Sequence, residues 1–535
     1  MTGGFRQRMA WLHTWVGLWM GWLLFAVFLT GALSVFYEPI THWMQPERQT
    51  VARPAVDIPR ALANAQRLLA LNAADAGHWQ IELPGDEDYA VHLHYDGQRG
   101  PEIRMDPDSG ALLPPARDTA GGRHFITFHY ELHSGMVGVW IVAFFTMALL
   151  VALVSGIVTH KRFFADFFTF RPRKGQRSWL DAHNALGVLV LPFLFVISYT
   201  GLVIWWPDTM PAGVRMFYTD QRALFDEMGG AHFREAATKS AGLRTGALPN
   251  LPAMLADAQA RLSRDSQGND SIERVSITHP GHANAEVEFS GPYHYDGIDF
   301  AAARHYHYDA ATGAFRSAEF DDEMVGNGDA PAPLIAGSVL RSLHLARFGG
   351  TMVDWLYFLS GLAGAGVMAT GLLLFSVKRR NRKLEEFGRH SARVYDAIDR
   401  LNVAAVASLC IACIGFLWAN RLLPVSLDER HEWEIGAFFA IWLAAALHAA
   451  VTSPARAWRL QLGGAGLLCV ALPVLNAITT PWHLGRYLYH GDWRAAGVEL
   501  GALACGAALL WTATYLRHRL GTGASAPRLA TGGRR

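Results

Sequence analysis

The chain has 535 residues, of which 51% are hydrophobic and 17% are charged, and it contains 18 tryptophans. This composition is too apolar for an ordinary soluble protein of that length and predicts an integral membrane protein. The formal net charge of +1 gives no reason to expect nucleic acid as a partner.

A membrane-spanning helix needs about 20 mainly apolar residues. Eight runs approach that length: 11–36, 137–159, 185–206, 353–377, 403–423, 435–451, 460–478 and 495–516. The first run is too long for a signal peptide and lacks a small-residue cleavage site, so we interpret it as a helix. The sequence therefore predicts a mainly α-helical protein with eight transmembrane helices in a lipid bilayer.

These runs set the expected domain boundaries. They are transmembrane helix 1 (1–37), a first outer segment (38–136), helices 2 and 3 (137–206), a second outer segment (207–352), helix 4 (353–380), a basic linker (381–400), a four-helix extension (401–516) and a tail (517–535).

The orientation follows from lysine and arginine. Residues 161–178 carry six of them and residues 378–400 carry eight. Because basic loops stay on the cytoplasmic side, both stretches and both termini are expected to be cytoplasmic, and the two long segments are expected outside. This topology predicts a multi-pass protein of a bacterial inner membrane.

Two of the predicted spans repeat the same pattern. WLHTWVG begins at Trp11 and WLDAHNALG begins at Trp179, and each places a glycine four residues after its histidine. A Thr-Gly pair follows, so that 18 residues separate His13 from Gly31 and 18 separate His183 from Gly201. Equal spacing over that length indicates an internal repeat.

The outer segments repeat as well. IPRALANAQRLL from Ile58 and LPAMLADAQARL from Leu251 each predict a short amphipathic helix with proline in its first turn. Alternating runs follow each helix (WQIEL and YAVHLHY, then ERVSITH, AEVEFS and RHYHYD), and a turn closes each segment, at Asp106–Gly110 and at Asp309–Gly313. A helix packed on a small antiparallel sheet is expected in each segment.

The helix, the strands and the Asp-x-x-Ser/Thr-Gly turn resemble PepSY domains, and with the histidine-bearing spans they make residues 1–380 similar to the PepSY-associated transmembrane family. That resemblance implies two small α+β PepSY-like domains outside the membrane and a link to iron uptake, since some members are di-haem reductases of ferric siderophores. It does not explain the last four helices.

The histidines provide candidate ligands for two haem b groups, because haem in a membrane bundle needs inward-facing neutral imidazoles from different helices. We expect a pseudo-repeated four-helix core with an inner haem between His13 and His183, for which His160 competes. LHSGMVG and LHLARFGG both place a glycine five residues after a histidine, which predicts an outer haem between His133 and His344. His129, one turn from His133, competes for that outer site.

Two haems, one near each face of the bilayer, would form a path for electron transfer across the membrane. The sequence has no Gly-x-Gly-x-x-Gly after a predicted strand and no P-loop, so the electron donor is expected to be separate, either a quinol or a cytoplasmic reductase. The predicted function is an oxidoreductase that reduces ferric iron in a periplasmic siderophore or other chelate and releases Fe(II). The alternative is a haem-free PepSY-type protein that binds, transports or signals.

Several other residues have two interpretations. Six glycines in the repeats either make room for a macrocycle or pack helices: Gly17, Gly31, Gly138, Gly187, Gly201 and Gly349. The strand pairs His92/His94 and His305/His307 are a weak candidate for binding metal or a chelate, since alternate strand residues share a face. The four cysteines lie in apolar runs, and we interpret Cys410-x-x-Cys413 as packing residues rather than a redox pair.

Overall fold

The computed structural model describes residues 4–49, 56–85, 88–96, 103–160, 176–219, 243–246, 248–266, 270–292, 294–295, 301–322, 332–346, 348–382 and 385–521. Most of the basic loop 161–178 and the end of the tail lie outside the described residues. The chain divides into two compact units. The first contains residues 1–44, 118–198 and 356–535, and the second contains residues 45–117 and 199–355.

The structure is mainly helical, as predicted. The helices in the described residues are α1 (Phe5–Ser34), α2 (Tyr37–Met44), α3 (Ile58–Asn72), α4 (Arg123–Glu131), α5 (Gly135–Thr159), α6 (Gln176–Leu189), α7 (Leu191–Ile204), α8 (Trp206–Thr209), α9 (Pro211–Phe217), α10 (Leu251–Asp265), α11 (Ala332–Leu345), α12 (Gly350–Arg382), α13 (Ser391–Leu422), α14 (Arg430–Val451), α15 (Pro454–Thr479), α16 (Leu484–His490) and α17 (Trp493–Gly521). Short 3-10 turns occupy Pro46–Arg48 and Gly388–His390.

Among the described residues, seven of these helices are long and apolar enough to cross a bilayer: α1, α5, α12, α13, α14, α15 and α17. The chain is therefore a multi-pass membrane protein. An eighth span exists only as the pair α6 and α7, which is bent by 62°.

That bend differs from the single helix predicted over 185–206, and Pro192 explains it. A proline has no N–H to donate to the carbonyl four residues earlier, which here belongs to Val188, and its ring crowds that carbonyl. Pro192 instead lies in the first turn of α7, where proline is tolerated. His183 consequently lies on one half of the broken span and Ser198 on the other.

In the first unit, α1 packs on α4, α5 and α13, while α13 also packs on α14 and α15. The helix α12 approaches α1 closely, because a side-chain carbon on Gly361 would lie 3.0 Å from Cβ of Ala32, and one on Gly364 would lie 2.8 Å from Phe28. Small residues at such crossings let membrane helices pack tightly. The four-helix extension joins this core through α13 and through the packing of α17 on α2.

The second unit contains one antiparallel sheet. Its strands are β1 (His78–Glu82), β2 (Val91–Tyr95), β3 (Ile103–Met105), β4 (Arg274–Thr278), β5 (Glu286–Ser290), β6 (His294–Tyr295), β7 (Ala301–Asp309) and β8 (Phe315–Asp322). The order is β3-β2-β1-β4-β5-β7-β6, and β8 also pairs with β7. The sequence predicts a small sheet in each segment, whereas β1 and β4 pair along five residues and join the two. The pairing of β1 with β4 satisfies the backbone N–H and C=O groups that two separate sheets would leave unpaired at their edges.

Alternation along the strands separates an apolar face from a polar face. Trp79, Ile81, Val275 and Ile277 lie in one core with α3 and α10. The closing turns of the two repeats have the same geometry: the carboxylates of Asp106 and Asp309 each accept a 2.8 Å hydrogen bond from the backbone N–H three residues later. Gly110 and Gly313 end these turns with φ of 71° and 70°, a conformation that favours glycine.

Candidate functional site

His13 on α1 and His183 on α6 lie next to each other in the first unit. Their ring centroids are 6.3 Å apart and their ring planes differ by 61°. The structure therefore brings together the two histidines that the sequence repeat pairs.

Both rings are oriented by a neighbouring helix. Nδ1 of His13 lies 2.9 Å from the carbonyl oxygen of Ala152 on α5, and Nδ1 of His183 lies 3.0 Å from that of Val367 on α12. A carbonyl oxygen only accepts, so Nδ1 carries the proton in each case. In the neutral ring Nε2 is then the basic nitrogen, which is the form that binds a metal.

Glycines make room for both rings. A side-chain carbon on Gly156 would lie 3.1 Å from Cε1 of His13, and one on Gly371 would lie 3.1 Å from Cε1 of His183. A larger residue at either position would push the imidazole away from its carbonyl partner. Neither glycine is predicted from the sequence, because each acts on a histidine in a different helix.

His129 on α4 has the same surroundings. Its Nδ1 lies 2.8 Å from the carbonyl oxygen of Val27 on α1. A side-chain carbon on Gly31 would lie 2.6 Å from Cε1 and from Nδ1 of this ring. The carbonyl again fixes the proton on Nδ1 and leaves Nε2 basic.

In the second unit, His344 on α11 repeats this arrangement with a hydroxyl in place of a carbonyl. Its Nδ1 lies 3.0 Å from Oγ1 of Thr200 on α7. A side-chain carbon on Gly201 would lie 2.8 Å from Cε1 of His344. The Thr-Gly pairs of the repeat thus lie beside histidines, since Gly31 and Gly201 each face one ring.

The helix bounds favour a second register for the outer histidines. The same separation, 215 residues, relates His129 to His344, Gly156 to Gly371, and the helix starts Gly135 and Gly350. Gly135 and Gly350 also share a left-handed backbone, with φ of 56° and 60°. In this register His129 is the counterpart of His344, whereas the match between LHSGMVG and LHLARFGG aligns His133 with it, four residues away.

His133 has different surroundings. It lies in the tight turn between α4 and α5, with φ of 51°. Its Nε2 lies 2.9 Å from Nδ1 of His124, a side chain that is only 1% exposed and stacks 4.2 Å from the ring of Phe416. His133 thus uses the nitrogen that His13, His129 and His183 keep basic.

His160 lies at the end of α5, where its backbone N–H donates to the carbonyl of Gly156 at 3.1 Å. It is half-buried and lies one turn beyond the glycine that faces His13. His160 therefore stays a candidate for the inner site, next to the end of the helix that faces His13.

The six glycines named from the sequence differ in role. Gly31 and Gly201 accommodate imidazoles, whereas a side-chain carbon on Gly138 would meet the backbone of Glu131, and one on Gly349 would meet the side chain of Val353. A side-chain carbon on Gly17 or Gly187 would meet nothing within 4 Å, so the space one turn after His13 and His183 is open.

The strand histidines are held by carboxylates. His92 Nε2 lies 2.9 Å from Asp88 Oδ2, and His305 Nδ1 lies 2.8 Å from Glu288 Oε1. Burial acts to raise the pKa of Glu288, but His305 and His307 outweigh it and hold that pKa at about 2. Within the described residues, no group of three or more His, Cys, Asp or Glu side chains can hold a metal ion, so this face gains no support as a metal site.

In the extension, the cysteines are free thiols: Cys413 and Cys469 are buried, whereas Cys505 is exposed. The histidines there bond to nearby polar groups, as when His448 Nδ1 lies 3.1 Å from Nε2 of Gln461.

The extension also holds a buried ion pair that the sequence did not predict. Arg430 and Glu434 are both 0% exposed and form a salt bridge one turn apart on α14. Glu434 also accepts hydrogen bonds from Thr119 Oγ1 at 2.7 Å and from Asn420 Nδ2 at 2.7 Å. Arg430 and Glu434 lie just before the apolar run 435–451, where charged residues in a sequence are more typical of a loop than of a buried pair.

A second buried group connects α2 to the extension. The guanidinium of Arg421 stacks 3.8 Å from the ring of Trp43 and donates to Asn476 Oδ1 at 2.8 Å. Glu499 accepts from the indole of Trp43 at 3.1 Å and from Asn476 at 2.7 Å. These contacts fix the extension to the helix that follows α1.

Comparison with known proteins places the chain in a family. An uncharacterized protein of Pseudomonas aeruginosa is 26% identical over 400 residues, an alignment that covers 72% of this chain and 92% of the relative. The PepSY-associated TM region family matches residues 10–378, which include all six candidate histidines and end before the extension. The chain therefore belongs to the PepSY-associated TM region family.

Proposed function

We propose that this protein binds two haem b groups and carries electrons across the membrane to ferric iron in an outer chelate, releasing Fe(II). The observation that supports this most strongly is the geometry of His13 and His183. Two axial imidazoles on one iron, each bonded at about 2 Å, have ring centroids roughly 6 Å apart. The observed 6.3 Å fits that spacing.

The surroundings of the pair also fit haem. The carbonyls of Ala152 and Val367 set the tautomer that has a basic Nε2, and such partners orient metal-binding imidazoles. The open space beside Gly17 and Gly187 provides room next to each ligand. Haem, when bound there, would supply a one-electron couple.

For the outer haem we propose His129 as a ligand, with His344 as the candidate that the repeat relates to it. Each has the Nδ1 partner and the facing glycine that characterise the inner pair, and the two are repeat counterparts. The outer assignment rests on this equivalence. His133 is less suited, because its Nε2 is engaged by His124.

The basic residues at 161–178 and 378–400 support an inner-membrane location with both termini in the cytoplasm. The electron donor is then a quinol or a cytoplasmic reductase, and the acceptor is a ferric siderophore or similar chelate outside. One electron converts Fe(III) to Fe(II), and the lower charge weakens the attraction of hard oxygen ligands, so that the chelate releases its iron.

The first experiment is an absorption spectrum of the purified protein, expressed with ample haem. We expect a red protein with a low-spin bis-histidine spectrum and two haems per chain. A colourless protein would support the alternative, a haem-free PepSY-type protein that binds, transports or signals.

The outer ligands are tested by a matched pair of variants. His129→Ala is expected to remove about half of the bound haem, because one of two sites loses an axial ligand. His133→Ala is expected to keep full haem content and the low-spin spectrum. The opposite result would restore His133 as the ligand, and loss in both would point to a local collapse of α4.

Direction is tested in sealed vesicles of known orientation. The protein is reduced from the cytoplasmic face, and Fe(II) outside is followed with an impermeant ferrous chelator. A hydrocarbon core of about 30 Å is too thick for one tunnelling step, so His13→Ala or His183→Ala should abolish the flux. Undiminished flux in both variants would mean that electrons enter elsewhere, with His160 as the next candidate.

A further inference from the structure

A groove of about 410 Å³ lies between α15 and α17 of the extension. Its lining consists of Arg459, Gly463, Leu467, Leu510, Ala513 and Thr514. The two helices meet most closely at Gly466 and Gly506, where a side-chain carbon on either glycine would lie about 3 Å from the backbone of the other. Most of the lining, from Arg459 to Gly463 and from Leu510 to Thr514, lies on the side of that crossing nearer the start of α15.

Arg459 is the only charged residue in the lining. It is half-buried, in the second turn of a helix that is apolar enough to span the membrane. Within the described residues, no hydrogen bond or ion pair to its guanidinium is found. An arginine in a membrane span normally has a partner, because leaving its charge without one in an apolar environment is unfavourable.

Apart from Thr514, the rest of the groove lining is apolar. Leu467 is 62% exposed and the neighbouring Leu460 is 45% exposed. From Arg459 to Leu467 the helix rises about 12 Å, which is most of one leaflet's share of a hydrocarbon core about 30 Å thick. The dimensions therefore match one acyl chain lying along the helix from a headgroup at Arg459.

Two aromatic residues indicate that the end of the groove with Arg459 lies near the lipid headgroups. Trp511 and Tyr515 on α17 flank the lining residues Ala513 and Thr514, and their rings stack 5.9 Å apart. Trp511 is 70% exposed. Exposed tryptophan and tyrosine on a span mark the membrane–water interface. Arg456 at the same end adds positive charge, which attracts anionic lipid.

We propose that this groove binds one anionic phospholipid, with its phosphate on Arg459 and one acyl chain along Gly463, Leu467 and Leu510. A phosphate accepts two parallel hydrogen bonds from a guanidinium, which suits arginine better than lysine. A quinol is the main competitor for such a groove, but it brings no charge to pair with Arg459. The site gives the extension a partner in the bilayer that is independent of the histidine core.

The test uses the full chain in nanodiscs that contain phosphatidylethanolamine with cardiolipin or phosphatidylglycerol. After transfer to mild detergent and washing, native mass spectrometry counts the phospholipids retained per chain. The unaltered protein should retain one anionic phospholipid. Arg459→Gln should weaken its retention at least about tenfold, as expected for the loss of a charge-assisted contact.

Arg456→Gln is the matched control, because it removes the same charge from the same helix at an exposed position outside the groove lining. It should retain lipid as the unaltered protein does. Gly463→Leu keeps both charges but fills the groove, and it should also lose the lipid. Size-exclusion profiles and helical content check that each variant is folded.

Three outcomes would overturn the proposal. Arg459→Gln could retain anionic lipid at the level of the unaltered protein, or Arg456→Gln could lose as much as Arg459→Gln, which would indicate general surface charge. Retention of a quinone in place of phospholipid, lost on Arg459→Gln, would assign the groove to the electron donor instead.

Discussion

The repeated histidine core and the carboxy-terminal extension both place polar side chains inside apolar helices, but they satisfy them differently. In the core, His13 and His183 have one nitrogen bonded to a carbonyl and the other in the basic form. In the extension, Arg430 and Glu434 are fully buried and paired with each other and with Thr119 and Asn420. Groups that remain available to bind something point to function, whereas groups that saturate each other stabilise the fold.

The largest expected contrast is between two histidines. His183→Ala should remove one of the two proposed haems, because the remaining imidazole cannot form a bis-histidine site. His448→Ala makes the same change in the extension, where Nδ1 of the ring lies 3.1 Å from Nε2 of Gln461, and should leave haem content unchanged. Haem per chain is measured by absorbance against protein concentration. Equal loss in both variants would remove the distinction between the two regions.

The reverse contrast concerns stability. Arg430→Met leaves Glu434 as a buried charge without its main partner, and breaking such a pair is expected to destabilise the fold by about 3–5 kcal/mol. The measurement is thermal or denaturant unfolding in detergent, with haem content determined on the protein that remains folded, which should be unchanged.

The double variant Arg430→Met/Glu434→Leu separates charge from packing. Removing both charges should recover much of the lost stability, because apolar residues of similar size often replace a buried pair without loss. If the double variant is less stable than Arg430→Met alone, Glu434 acts mainly through Thr119 and Asn420.

A smaller effect is expected from two identical glycine substitutions. In Gly31→Ala the new carbon would lie 2.6 Å from the His129 ring, so the ring must move and the outer haem should bind more weakly. In Gly464→Ala the new carbon meets nothing within 4 Å, and alanine favours a helix by about 1 kcal/mol over glycine. Haem retention on dilution should therefore fall only in Gly31→Ala. Unchanged retention would mean that His129 tolerates the shift or is not a ligand.

The sequence predicts much of this fold because its signals are local. Apolar runs predict the spans, and alternation predicts β1, β2, β4, β5 and β7 close to their observed positions. The 18-residue spacing predicts the pairing of His13 with His183, because it is read along a continuous stretch of chain in each repeat.

Features that depend on contacts between distant residues were not predicted. The pairing of β1 with β4 and the glycines Gly156 and Gly371 require knowledge of which elements meet. The outer histidines have two possible registers, one from the residues around His133 and one from the helix starts at Gly135 and Gly350, and the second depends on helix bounds that the sequence does not fix. The polar residues of α14 lie at the edge of their run, where sequence alone does not distinguish a buried pair from a loop.

The smallest predicted effect lies outside the membrane, where a charge can be titrated. The pKa of Glu288 is lowered from 4.5 to about 2, because His305 and His307 outweigh the effect of its burial. A carboxyl group with a lowered pKa in the fold contributes stability above its unfolded pKa, and that contribution disappears as pH falls from about 4.5 towards 2.

Pepsin, which is active in this range, can report this loss of stability as faster cleavage of β4 and β5 at lower pH. Glu288→Gln should be cleaved faster than the unaltered protein at pH 4.5, and the difference should shrink as pH approaches 2. Glu82→Gln is the control, because Glu82 lies 3.8 Å from Arg274 in a half-exposed pair, which contributes little. A difference that persists unchanged at the lowest pH would show that the Glu288 side chain acts through its shape and hydrogen bonds rather than through its charge.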